Sequence, residues 1–208
     1  PHPPRGARNR APNPNTNPHT QGTTPEATRV LGGMTGMIRT RVTGRRVTRT
    51  VLSVEAETVA ELHSRARSTY YPAGAAPQDG TDWVAAWRRA IERPDGHVLC
   101  TVHEGRIVAI ASFRTAEDAP ADTVRLFQLH VDPDHWRTGL GTALHAECVE
   151  QWRADGRRTA TLDVHVDNER ARDFYARRGW VPDPEKPPVA GDHHLFLRYP
   201  VGAAPARE

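Results

Sequence analysis

An apolar strand that runs through a glycine-bearing turn into a helix leaves a chain few ways to fold. Here residues 124–131 read as the strand. The turn is Asp132-Pro133-Asp134-His135-Trp136-Arg137-Thr138-Gly139-Leu140-Gly141-Thr142, and Leu140, Leu144, Cys148 and Trp152, four apart, give one side of a helix that Gly156 ends. The start of such a helix aims unpaired backbone N–H groups outward, and its dipole favours negative charge, which is the physical recipe for a phosphate site. Glycine lets the backbone approach an anion with no Cβ in the way. Arg137 adds a permanent positive charge.

Two common phosphate loops fail on residue type. A Walker A loop needs Gly-Lys-Ser/Thr, and this turn holds no lysine. A dinucleotide fingerprint needs Gly or Ala three residues after Gly141, where Leu144 stands.

Elsewhere strands and helices alternate. Residues 47–52, 97–103 and 106–113 (a hairpin around Glu104-Gly105), 159–166, 180–181 and 194–199 read as strands. Ser53 as N-cap opens a helix through Ala60, Leu62 and Ala66, and Trp83, Ala86, Trp87 and Ile91 share one face of a second. Asn168 caps a fourth helix that Gly179 closes. The order β-α-α-β-β-β-α-β-α-β-β predicts an α/β (α+β) domain with a mixed sheet rather than a doubly wound one.

Residues 1–45 are rich in Pro, Asn, Thr, Gly and Arg and almost devoid of periodic apolar residues, so they are expected to be a disordered tail, with Met34 or Met37 as a candidate start. The domain is then 46–202. Nine arginines against Glu26 give residues 1–50 a charge of +8, which leaves 19 basic and 24 acidic residues, or −5, for 51–208. A nucleic-acid binder wants its basic face on the folded part, so nucleic acid is not the expected partner. No apolar run approaches the roughly 20 residues of a membrane span, so no membrane partner is expected. Cys100 and Cys148 lie inside apolar patterns and read as reduced core thiols of a cytoplasmic protein. The 27 arginines against the single Lys186 suggest a GC-rich bacterial source. His193 and His194, beside Asp192, point to opposite faces of a strand, and no metal is expected.

A second block, Asn168-Glu169-Arg170-Ala171-Arg172-Asp173-Phe174-Tyr175-Ala176-Arg177-Arg178-Gly179-Trp180, follows a strand and ends in Gly plus an aromatic. Together the two blocks resemble the GNAT N-acetyltransferase superfamily. Its pattern is an apolar strand, [Gln/Arg]-x-x-Gly-x-[Gly/Ala], then some 25 residues later Asn-x-x-Ala-x-x-[Phe/Tyr]-Tyr-x-x-x-Gly-[Phe/Trp]. The likeness is close over 124–181 and extends in element order over 47–199. One departure is that the first Gln or Arg of the family falls on Trp136.

The resemblance implies a mixed sheet of six to seven strands, splayed between the fourth (124–131) and fifth (159–166) and flanked by about four helices. It implies acetyl-CoA as co-substrate. Leu129 and Val131 would lie against the pantetheine arm, with a backbone N–H near Leu129 on the thioester carbonyl. Arg137, Thr138, Gly139, Leu140, Gly141 and Thr142 would hold the pyrophosphate, and Asn168 would flank the arm. Tyr175 matches the tyrosine that protonates the departing thiolate. Some relatives carry a glutamate base on the fourth strand, but here 124–128 hold no carboxylate, so an ordered water, His130 or His165 are the candidates. His130 alternates with Leu129 and Val131 and so faces away from them. Tyr70, Tyr71, Trp83 and Trp87 lie in the helices that roof the acceptor site in this family. The implied acceptor is a small-molecule or peptide amine, and the protein a monomer or homodimer. The rival reading is a non-catalytic acyl-CoA-binding sensor or interaction module.

Overall fold

A computed structural model describes residues 27–31, 38–43, 46–69, 80–189 and 191–202. Among them run β1 (Ala27–Leu31), β2 (Ile38–Thr43), β3 (Arg46–Thr50), α1 (Ala56–Arg67), α2 (Trp83–Glu92), β4 (Gly96–His103) and β5 (Arg106–Arg114). There follow β6 (Thr123–Val131), α3 (Leu140–Ala154), β7 (Thr159–His165), α4 (Glu169–Arg177), β8 (Val181–Pro182) and β9 (His194–Pro200). The strands make one sheet in the order β1-β2-β3-β4-β5-β6-β7-β9-β8. From β3 onward these are the expected mixed seven. β1 and β2 extend the sheet into the segment read as a tail. Composition gave no sign of them, because what they satisfy is the open hydrogen-bonding edge of β3, to which β2 pairs antiparallel. The remainder of 1–45, Met34 and Met37 included, lies outside the described residues.

Every pairing is antiparallel except that of β6 with β7, where Thr123, Val124 and Arg125 meet Thr159, Ala160 and Thr161. Beyond those three residues the two strands part. This is the expected splay. α1 and α2 cover one face of the sheet over a core of Val59, Leu62, Trp87, Val98, Cys100 and Ile110. α3 and α4 cover the other, over Phe113, Leu126, Leu144, Cys148, Trp152, Leu162, Tyr175 and Trp180. The fourfold spacing in α3 is realised: Leu140, Leu144, Cys148 and Trp152 are all at most 1% exposed. Burial pushes the Cys100 thiol up to about 11 and raises that of Cys148 as well, so both are inert core groups.

A bulge in β6 decides which side chains meet which face. Phe113 pairs with Leu126 but Ser112 with Gln128, so Phe127 is the extra residue. Before it, Val124 and Leu126 enter the α3 core. After it, Leu129 and Val131 pack against that same core, and His130 turns to α1.

The entry to α1 differs from expectation. Ser53 is not its N-cap but the first residue of a short 3-10 turn, Ser53–Glu55. The Glu55 carboxylate, gripped by Arg49 at 2.6 and 2.8 Å, accepts the Leu52 N–H at 2.9 Å. The carboxylate thus reaches back to the backbone before the turn, as the acidic residue of a capping box does, and no side chain caps the start of α1. α2 starts where Asp82 accepts the Ala85 N–H at 2.9 Å.

Candidate active site

Past the three paired residues, the β7-facing edge of β6 is open. The Asp132 N–H donates to the Val108 carbonyl at 2.8 Å, and antiparallel alternation from that bond turns the N–H and C=O of Val131 and Leu129 to the open edge. The Val131 carbonyl is capped there by the Trp136 indole N–H at 2.9 Å. Trp136, the departure from the family pattern, thus closes one end of the exposed backbone. The turn that follows β6 is tied to α1. The buried Asp132 carboxylate accepts the Asp134 N–H at 3.1 Å and Arg65 at 2.7 Å, and Arg65 also reaches Asp134 at 3.0 Å.

The loop then reverses with two left-handed residues, Arg137 (φ 60°) and Gly139 (φ 82°). For arginine that conformation costs about 1 kcal/mol or more, a strain the surroundings must hold in place. The Thr138 hydroxyl donates to the His135 carbonyl at 2.7 Å, and its own carbonyl accepts from Arg46 at 3.0 Å. Gly139 stands at the N-cap of α3, and no side chain caps it. The first N–H groups of α3 therefore have no intrahelical acceptor and point into the space beside β6. The two glycines differ. Gly139 needs its positive φ, whereas a Cβ on Gly141 would lie 3.5 Å from both Phe174 and Val131, an ordinary contact.

α4 makes the other wall. Asn168 Oδ1 accepts the Ala171 N–H at 3.1 Å, fixing the helix start, and Gly179 (φ 86°) ends it. Ala171, Phe174 and Tyr175 then face the cleft. Tyr175 is buried, with its ring centroid 5.4 Å from Phe174 and 5.6 Å from Trp180. Arg170, unnoticed in the sequence although it lies inside the quoted block, stacks 3.3 Å over the Trp136 ring and donates to the Thr69 hydroxyl at 3.0 Å. It bridges α4, the loop and the end of α1.

These walls enclose a cleft of about 600 Å³. Of the residues singled out in the sequence, Leu129, Val131, Arg137, Gly139, Leu140, Gly141, Thr142, Asn168 and Tyr175 line it, and Thr138 does not. Arg137, Arg170 and Arg177 against Asp173 give its described lining an excess of positive charge. Uncapped amides, a helix N-terminus and guanidinium groups fit a polyphosphate.

Of the two candidate histidine bases, only His130 reaches the cleft. Its Nε2 lies 2.7 Å from Gln128 Oε1, and its ring stacks 4.8 Å from His63, which accepts the Trp87 indole N–H at 3.2 Å. Burial, then His63 and Arg67, push His130 down to about 3; burial, then Arg67, push His63 down to about 4. Both rings are neutral at pH 7 and too weakly basic to drive deprotonation of an alkylammonium. His165 instead accepts the Asp167 N–H at 3.2 Å and stacks on His193 at 6.0 Å. No cluster of three or more metal-ligating groups exists among the described residues, and none of their helices is long and apolar enough to cross a membrane. Trp83 and Trp87 line a second pocket beside α2; Tyr70 and Tyr71 lie outside the described residues.

A splayed mixed sheet with a phosphate-type loop at the splay defines the acyl-CoA transferase class of fold. The sequence model of the acetyltransferase (GNAT) family matches residues 57–180, and the chain belongs to that family. It is 30% identical over 100 residues to an uncharacterised N-acetyltransferase of Methanocaldococcus jannaschii, a match covering 47% of this chain and 44% of that protein. It is 25% identical over 146 residues to an uncharacterised N-acetyltransferase of Mycobacterium tuberculosis, covering 67% of this chain and 92% of the relative. Among solved structures, PaiA N-acetyltransferase from Thermoplasma acidophilum, in complex with coenzyme A, shares the fold with a TM-score of 0.59 at 17% identity, over 74% of this chain and 98% of that one.

Proposed function

We propose that the chain transfers the acetyl group of acetyl-CoA to a primary amine by direct attack. The observation that carries this reading is the pairing of an open β6 edge at Leu129 and Val131 with the uncapped amides at the start of α3. That pairing gives an extended arm and a diphosphate adjacent sites, and the Thermoplasma neighbour holds coenzyme A.

Acetyl-CoA supplies an activated acyl group on a thiol leaving group. The N–H groups of 137 and 139–142 and the Arg137 side chain bind the pyrophosphate. Leu129 and Val131 lie along the pantetheine arm, and Asn168 flanks it. The Leu129 N–H, fixed before reaction by the β5–β6 ladder, donates to the carbonyl oxygen as negative charge develops, which is oxyanion-type stabilisation. Tyr175 stands across the splay as proton donor to the departing thiolate. With a phenol near pKa 10 and a thiol near 8.5, that role needs close placement. The ammonium form of the acceptor loses its proton to water before attack, at a cost of roughly 4–5 kcal/mol at pH 7. His130 and His63, pushed down by burial, are too weakly basic for that role.

The test is calorimetry with acetyl-CoA and coenzyme A, followed by thiol release with a panel of primary amines. Micromolar binding and amine-dependent thiol release are expected. Binding with no turnover on any amine would favour a sensor, and absence of binding would end the assignment.

A further inference from the structure

Resting on the acetyl-transfer reading, we infer that the acceptor amine also carries a carboxylate, seated in the second pocket, between α2 and the bulged stretch of β6. This pocket, about 280 Å³, contains Arg89, Arg93 and Arg114 and no carboxylate among its described lining residues. Arg93 is neutralised by Asp95 through two bonds of 2.9 and 3.0 Å. Arg114 donates to the Thr115 carbonyl at 3.0 Å and lies 4.7 Å over the Phe127 ring. Neither Arg89 nor Arg114 makes an ion pair within 4 Å among the described residues; Asp95, held by Arg93, also feels the Arg114 charge, from farther away. Two such guanidinium groups at a half-enclosed site with aromatic walls, Trp83 and Phe127, select a planar anion and disfavour a second cation. The Trp87 indole N–H is already taken by His63, so that ring presents an apolar wall.

The bulge connects this pocket to the chemistry. Gln128, in the lining of this pocket, immediately precedes Leu129, which lines the cofactor cleft. From the Phe127 level, where Arg114 stacks, to Leu129 is two residues, or about 7 Å at about 3.3 Å per residue. An acceptor gripped by its carboxylate at Arg114 and attacking beside Leu129 therefore separates amine from carboxylate by several bonds.

The probes are 4-(aminomethyl)benzoate, its neutral amide 4-(aminomethyl)benzamide, and the dication of 1,4-bis(aminomethyl)benzene. One charge-assisted hydrogen bond corresponds to about a tenfold preference, so kcat/KM for the benzoate is expected to exceed that for the amide by about tenfold or more. Arg114→Gln and Arg89→Ala should each narrow that ratio, chiefly through KM for the benzoate. Arg89 is exposed on α2, so its removal leaves packing intact and unfolding temperature serves as the control. Equal use of benzoate and amide, or preference for the dication, overturns the inference while leaving acetyl transfer standing. If no probe is acetylated, calorimetry with the benzoate in the presence of coenzyme A decides: no heat overturns the inference. Acetyl-CoA binding, measured separately, reports on acetyl transfer itself.

Discussion

Gly139 and Gly141 look equivalent in the sequence, yet alanine at the two positions should act with opposite sign. At Gly139, φ is 82° and nothing lies within 4 Å of where a Cβ would stand, so the cost of alanine is purely conformational, about 1 kcal/mol. Gly141 sits inside the first turn of α3 with a permissible φ. There a Cβ meets Phe174 and Val131 at 3.5 Å, and alanine gains up to about 1 kcal/mol of helix propensity over glycine. The difference approaches about 2 kcal/mol. At about 2–4 °C per kcal/mol for a domain of this size, Gly139→Ala should lower the unfolding temperature by about that amount, and Gly141→Ala should leave it level or raise it. Coenzyme A affinity, read by calorimetry, should fall for Gly139→Ala because the turn that aims the amides relaxes. Equal destabilisation by both substitutions would refute the account of this loop.

Tyr175→Phe should cut turnover at least tenfold while leaving acetyl-CoA affinity intact; unchanged turnover in a thiol-release assay removes the tyrosine from the proton-donor role. Arg65→Met should lower stability by about 1–3 kcal/mol in a denaturant titration, because it takes the charged donor from the buried Asp132 carboxylate and leaves it a backbone N–H. His145, which accepts the Trp180 indole N–H at 2.9 Å, is pushed down to about 4 by burial first and then Arg178. The unfolded chain protonates this group near pH 6.5 and the folded protein does not. Its contribution is therefore complete above that pH and is lost as pH falls toward 4, by up to about 3 kcal/mol. His145→Gln should flatten the stability profile across that window, as followed by thermal unfolding in a pH series.

Much of the site is legible without the fold. The bulge also leaves a trace in the sequence. Polar residues fall at 125, then at 128 and 130, while Leu126, Leu129 and Val131 stay apolar, so the two-residue alternation changes phase at Phe127. The glycine loop and the Asn168–Gly179 helix are equally legible, because a cap, a positive-φ glycine and a fourfold apolar spacing are written in contiguous residues. β1 and β2 are not, since their composition resembles a tail and what holds them is the edge of another strand. Ser53 misleads for a related reason: a serine ahead of an apolar-periodic run reads as the cap, and only the grip of Arg49 on Glu55 makes the entry a 3-10 turn held by a glutamate instead.

By itself, the order of residues determined where the third and fourth helices start, the faces their apolar positions would bury, and the turn whose amides are left to an outside anion. Tertiary structure alone decided that Arg65 would hold Asp132 from 67 positions away, that Arg170 would lie over Trp136, and that burial, with His63 alongside, would silence His130. It also decided which guanidinium groups beside α2 would go without a carboxylate. Local signals arise from bonds within a few residues and so survive in one dimension. Ion pairs, stacking and desolvation depend on distances that exist only after the β6–β7 splay and the two helical layers have fixed where each strand lies.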